Sequence, residues 1–111
     1  MFYLTKQAKV FLYNKPVNLH KGFDSLAHIV RTELGFDLAP DIYVLFCNLR
    51  RDRIKVLYLD KSNLALMSMR FGQTLDFKYN EIIQFDRNSF EKFLNKTISR
   101  RLINRYKLTE N

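Results

Sequence analysis

The sequence predicts an α+β domain in which an antiparallel β-meander packs with one helix before it and a second helix after it. Residues 42–71 contain three apolar or alternating segments separated by short polar turns, which is typical of consecutive strands joined by hairpins. The segments 19–34 and 89–98, on either side of this region, carry apolar residues at helical spacing. A chain of 111 residues fits one domain of this kind.

A short strand and the first helix are predicted in the N-terminal third of the chain. Residues 9–13 are rich in strand-forming types and end before a proline-containing turn. Asn18 is expected to cap the helix, because its side-chain oxygen can accept a backbone N–H hydrogen bond. Gly22 is expected inside the helix, where a close backbone approach would explain a glycine, and Gly35 is expected to end it. One apolar stripe is predicted to contain Leu19, Phe23, Leu26, Ala27, Val30 and Leu34.

Three strands are predicted next. Residues 42–48 are almost continuously apolar, so we expect a central strand that is buried on both faces. Residues 53–60 alternate, with Ile54, Val56 and Tyr58 on one face and Arg53, Lys55 and Leu57 on the other. A turn in which Asn63 takes the left-handed conformation leads into a third strand over residues 64–71.

The rest of the chain is predicted to hold short edge strands and a final helix. The edge strands are expected over residues 75–79 and 82–85. Ser89 or Asn88 is expected to cap the helix, whose apolar stripe contains Phe90, Phe93, Leu94, Thr97 and Ile98.

The charge balance indicates an anionic partner. The chain has 19 Lys and Arg against 11 Asp and Glu, a net charge of +8, which is typical of proteins that bind nucleic acid or a membrane surface. No apolar run approaches the roughly 18 residues of a membrane span, and the first residues do not resemble a secretory signal. The single Cys47 excludes an internal disulfide. We therefore expect a cytoplasmic protein without a transmembrane segment.

Two groups of cations are candidate nucleic-acid contacts. The predicted hairpin after residue 48 has four cations within six residues: Arg50, Arg51, Arg53 and Lys55. Guanidinium groups on a protruding hairpin can contact phosphates or a guanine edge. Alternatively the hairpin is a solubilising charged turn, in which Asp52 pairs with a neighbouring arginine.

The second group of cations lies at the C-terminus, where we separate a basic tail, residues 100–111, from a single domain of residues 1–99. Arg100, Arg101 and Arg105 belong to this tail. They can lie along a phosphate backbone, or they can be part of a solvated C-terminus.

Enzyme and metal signatures are weak, so we predict a non-enzymatic protein without a metal or another cofactor. His20 and His28 would diverge by roughly 80° around a helix and lie more than two turns apart, which is poor geometry for one metal ion. Cys47 lies in the most apolar strand and is expected to be a small hydrophobic residue. The chain has no glycine-rich phosphate loop.

Two stretches resemble one protein family. Residues 18–26, Asn-Leu-His-Lys-Gly-Phe-Asp-Ser-Leu, are similar to its early signature, Asp-Met-Arg-Lys-Gly-Phe-Asp-Gly-Leu. Residues 46–60 resemble its central block, in which an Asn and basic residues are followed by Asp-Arg-Ile-Lys and an aliphatic-Leu-Tyr-Trp-Asp run. The family is TnpB, the small accessory protein of the IS66 class of bacterial insertion sequences, distinct from the RNA-guided nuclease of the same name. The resemblance extends over residues 9–98.

The resemblance implies a bacterial protein that works beside a separate transposase and does not itself cleave DNA. Together with the charge it leads to the hypothesis of a DNA-binding accessory factor of transposition. The main contact face would contain Lys21, Arg50, Arg51, Arg53, Lys55 and Arg70, with backbone contacts from Arg100, Arg101 and Arg105. The alternative is a protein–protein adaptor that docks a transposase or another acidic partner, and an open sheet edge would also permit a homodimer.

Overall fold

The computed structural model describes residues 4–97, with the side chains of residues 4–95. The chain forms, in order, strand β1 (Lys9–Leu12), helix α1 (Phe23–Ile29) continued by a π-helical segment (Val30–Leu34), strands β2 (Ile42–Cys47), β3 (Arg53–Asp60), β4 (Asn63–Arg70) and β5 (Ile83–Asp86), and helix α2 (Arg87–Thr97). The five strands make one sheet in the order β4-β3-β2-β1-β5. The predicted α+β class, with a helix before and a helix after the meander, is confirmed.

The sheet is mixed, whereas the sequence had predicted only antiparallel pairing. Strands β2, β3 and β4 form the predicted antiparallel meander. Strand β1 pairs parallel to β2, and β5 pairs antiparallel to β1. The parallel pair arises because β1 and β2 are joined by a crossover that contains α1, the type of connection that parallel neighbours require. The prediction of a strand over residues 75–79 was wrong, and the second edge strand is found as β5.

Helix α1 begins later than predicted. Gly22 is its N-cap, with an extended backbone at φ −97° and ψ −165°. Asn18 stabilises a turn before the helix, where its Oδ1 accepts a 2.9 Å hydrogen bond from the backbone N–H of His20. A Cβ on Gly22 would meet no atom within 4 Å, so the expected close backbone approach is absent. Gly35 ends the helical segment with φ 82°, the left-handed conformation that was predicted.

Both faces of the sheet are covered. The central strand β2 is buried on both sides, as predicted, and Val44 and Phe46 point toward α1 while Leu45 and Cys47 point the other way. Helix α1 and the π-helical segment cover the first face with the buried residues Leu26 and Val30. Helix α2 and the β4–β5 connection cover the second face with Phe71, Leu75, Phe77, Phe90 and Leu94. Within residues 4–97 no helix has the length and apolarity that a membrane crossing needs.

Two local details differ from the sequence prediction. Asp86 caps α2, because its Oδ1 accepts a 2.7 Å hydrogen bond from the Ser89 N–H and its own N–H donates to Ser89 Oγ at 3.0 Å. This reciprocal pair is a capping box, in which Ser89 is the inner member and not the cap. In the β3–β4 turn the left-handed residue is Lys61, with φ 61°, since Asn63 already belongs to β4.

Candidate nucleic-acid interface

Asn48 shapes the β2–β3 hairpin loop, residues 48–52. Its Oδ1 accepts hydrogen bonds from the backbone N–H groups of Asp52 and Arg53, both at 3.1 Å. Its Nδ2 donates to Asp52 Oδ1 at 2.7 Å. Its backbone carbonyl accepts from the Arg51 N–H at 3.0 Å and from the Tyr79 hydroxyl at 2.6 Å. These bonds hold the loop in one shape, through side-chain contacts of the type that Asn makes in turns.

Arg51 links this loop to the segment between β4 and β5. It has φ 60° and is partly buried, and its Nη1 donates a hydrogen bond to the Phe77 carbonyl. Its guanidinium carbon lies 5.8 Å from the centroid of the Phe77 ring, which is within cation–π distance. Its carbonyl accepts from the Leu75 N–H at 2.7 Å. The Arg51 side chain is therefore engaged with the β4–β5 connection, and it is less exposed than Arg50 and Arg53.

Three of the predicted contact residues line one groove. Arg53 and Lys55 of β3 and Arg70 of β4 line a cavity of about 640 Å³, and the loop of residues 16–20 forms the facing wall. The strand register explains this arrangement, because Arg53 lies directly opposite Arg70 and Lys55 lies opposite Ser68. All four residues belong to the sheet face that carries α1. We call this cavity the cationic groove.

The backbone of Lys21 lies beside the cationic groove, where it is hydrogen-bonded to the side chain of Lys55. The Lys21 carbonyl accepts a 3.2 Å hydrogen bond from Lys55 Nζ, and the Lys21 N–H donates to the Asn18 carbonyl at 3.1 Å. An ammonium group has three N–H donors, so Lys55 keeps two for a ligand. The same contact ties the turn of residues 18–21 to the sheet.

The cations of the groove have no carboxylate partner in the part of the chain with described side chains. The ion pairs found there within 4.0 Å are Lys15–Glu33, Arg31–Asp37, Arg50–Asp52 and Arg87–Glu91. The hydrogen bond from Asn48 lowers the pKa of Asp52, and the charges of Arg50 and Arg53 add to this effect, so Asp52 is ionised at neutral pH. It offsets part of the loop charge, but the Arg50 contact is long, at 4.0 Å, and the Arg50 side chain is 85% exposed.

Of the remaining sequence-predicted residues, the structure describes only Arg50. Arg50 lies exposed in the hairpin loop next to the groove. Arg100, Arg101 and Arg105 lie outside the described residues. Sequence reasoning had missed His20 and Leu49, which also line the groove. Their positions depend on the pre-helical turn and on the shape of the hairpin loop, and neither feature has a local periodic signal.

Metal-ligating side chains are not clustered in the part of the chain that the structure describes. Within residues 4–97, no group of three or more His, Cys, Asp or Glu side chains is arranged to hold a metal ion. Cys47 is fully buried, and this burial raises the pKa of its thiol to about 11. The thiol is therefore protonated at neutral pH, which is unfavourable for a nucleophile.

One comparison with known proteins identifies a relationship. A family model described as "IS66 Orf2 like protein" matches residues 8–97, a span that runs from β1 to α2 and contains the whole cationic groove. No curated protein and no solved structure matches the chain.

Proposed function

The chain belongs to the IS66 Orf2-like family of accessory proteins of insertion-sequence transposition, and from this premise we propose that it binds DNA through the cationic groove. The supporting observation is the set of unneutralised cations on one sheet face. Arg53 and Arg70 are direct cross-strand partners, and like charges in such positions destabilise a sheet. A phosphate between them would remove this repulsion and accept hydrogen bonds from both guanidinium groups.

The proposed contacts are mainly to the phosphate backbone. The cations available to it are those of the groove, Arg53, Lys55 and Arg70, together with Lys21 beside it and Arg50 in the exposed loop. Arg51 contributes by shaping the loop. In this proposal the protein acts without catalysis, in the cytoplasm of a bacterium, and assists a separate transposase at the DNA.

A salt titration tests the proposal. If the five available cations neutralise about five phosphates, the plot of log binding constant against log salt concentration should have a slope of about −4 to −5 for duplex DNA. The measurement is fluorescence anisotropy of a labelled duplex at several NaCl concentrations. The absence of binding at low salt, or a binding constant independent of salt, would overturn the proposal.

A matched pair of double variants locates the contact face. The variant Arg53→Gln/Arg70→Gln should bind more weakly and reduce the steepness of the salt slope by about two, because two phosphate contacts are lost. The control Lys61→Gln/Lys92→Gln changes the net charge equally but at the far β3–β4 turn and on α2. Equal loss of affinity in both variants would show that only net charge matters, and the groove would then not be the site.

A second candidate function, docking to another protein chain, either a transposase or a second copy, is favoured by the edge strand β4. This strand is the last in the sheet order, and residues 63–69 contain no charge and no proline. Such an edge can accept a strand from another protein or from a second copy of the chain. Sedimentation of the native protein, compared with a Leu64→Lys variant, tests the homodimer: a dimer that the charge dissociates supports pairing through β4, and a monomer at all concentrations contradicts it.

A further inference from the structure

Leu49, in the hairpin loop, is unusually exposed for a large apolar side chain. Its exposed fraction is 74%, while the other exposed large apolar residues among the described ones, Phe23, Leu64 and Ile82, range from 39% to 45%. Leu49 belongs to neither of the two hydrophobic core clusters, one on each face of the sheet. Folding therefore gains little from a leucine at this position, and its apolar surface remains available for a ligand.

The loop that carries Leu49 is held in place before any ligand binds. On one side of Leu49, the Asn48 side chain accepts from two backbone N–H groups, and the Asn48 carbonyl accepts from the Tyr79 hydroxyl. On the other side, Arg51 is fixed to Phe77. The backbone carbonyl of Asp52 also accepts a 2.8 Å hydrogen bond from the Phe71 N–H. A ligand that contacts Leu49 does not have to order the loop, which lowers the entropy cost of binding.

The surroundings of Leu49 indicate what it contacts. Arg50, the next residue, is 85% exposed, and Leu49 itself lines the cationic groove together with Arg53 and Lys55. A single apolar side chain between guanidinium and ammonium groups is a poor match for a broad apolar protein surface. It is a good match for duplex DNA, in which phosphates flank an apolar stack of bases.

We propose that Leu49 is a wedge that inserts between two base pairs and kinks the duplex held in the cationic groove. This inference rests on the proposed function, since the groove cations must hold the phosphates for the wedge to reach the bases. Proteins that insert a leucine, phenylalanine or proline in this way bend DNA by about 20–90°. The loop would supply the wedge, and Arg50 would contact the backbone beside the opened step.

Energy transfer between dyes on the two ends of a short duplex measures the bend. The native protein should bring the ends together, and so should the control Ile82→Ala, which removes an exposed large apolar side chain that does not line the groove. The variant Leu49→Ala should bind without bending. Because Leu49 is exposed, this variant should keep the far-ultraviolet circular dichroism spectrum of the native protein.

A mismatched duplex gives a second readout. A mismatch lowers the cost of unstacking, so the native protein should prefer it to the intact duplex by about tenfold, and Leu49→Ala should lose most of this preference. If Leu49→Ala bends DNA as the native protein does, or if the native protein binds without bending, the wedge is refuted while the proposed function stands. If no variant binds DNA at all, the proposed function itself fails. If Leu49→Ala weakens capture of purified transposase and leaves the bend unchanged, Leu49 is a protein contact and the wedge is again refuted.

Discussion

Replacing Arg51 with alanine should destabilise the fold, whereas the same replacement at the adjacent Arg50 should not. The Arg51 guanidinium donates to the Phe77 carbonyl and lies over the Phe77 ring, in a partly buried position. Arg50 is 85% exposed and has only a 4.0 Å contact with Asp52. The two residues look equivalent in the sequence, so the contrast tests the structural role that is assigned to each.

The expected loss for Arg51→Ala follows from its two contacts. A hydrogen bond from a charged donor contributes about 1.5–3 kcal/mol. A cation–π contact in a partly exposed position adds about 0.5–1 kcal/mol. The free energy of unfolding should therefore fall by about 2–4 kcal/mol, and Tm should fall by roughly 10 °C or more in a domain of this size. For Arg50→Ala the change should remain within about 0.5 kcal/mol, because exposed ion pairs contribute little.

Urea denaturation followed by far-ultraviolet circular dichroism is a suitable assay, since the chain contains no tryptophan. Both variants and the native protein should be compared at equal concentration. The duplex affinity of each variant is then measured under conditions in which it is folded. Equal unfolding midpoints for the two variants would refute the bracing role of Arg51. A folded Arg51→Ala variant with a larger loss of DNA affinity than Arg50→Ala would show that Arg51 contacts the DNA directly.

Three further predictions concern the capping box and the buried titratable groups. Asp86→Ala should lower the free energy of unfolding by about 1 kcal/mol because it removes the acceptor of the Ser89 N–H, whereas Asn88→Ala should have little effect in the same urea assay. The Cys47 thiol should react with a disulfide reagent only after unfolding, because it is buried and its pKa is raised to about 11; fast labelling of the native protein would contradict this. Stability should fall as the pH rises above about 9, because burial raises the pKa of Cys47 from 9.0 to about 11 and the pKa of Tyr13 from 10.0 to about 12. The unfolded chain then releases protons that the folded chain retains. A thermal midpoint that stays constant between pH 8 and pH 11 would argue against that linkage.

The strands of the meander were the most predictable elements. The alternation in residues 53–60 predicted both the bounds of β3 and the two faces that its side chains take. The continuous apolar run of β2 predicted its burial. These patterns are local, because the period of side-chain direction in a strand is a property of the backbone itself.

The elements that the sequence misplaced depend on competition between neighbouring residues. Asn18 and Gly22 are both acceptable helix caps, and the structure uses Asn18 for a turn and Gly22 for the N-cap. Asp86 takes the capping role expected of Ser89, because β5 runs directly into α2 and brings the carboxylate to the first turn. Propensity does not choose between such candidates, since Asn, Gly, Asp and Ser are all favoured at helix N-caps.

The sequence by itself determined the strand pattern, the positive charge and the resemblance to the IS66 family, because local periodicity, composition and short motifs do not depend on how distant residues pack. Only the tertiary structure decided which cations lie together. The β3–β4 register places Arg53, Lys55 and Arg70 on one face of the sheet, where they line the same groove. Arg51 does not line this groove, and its guanidinium group packs against the Phe77 ring. Register and packing join residues that lie far apart in the chain, and a local pattern contains no information about those distances.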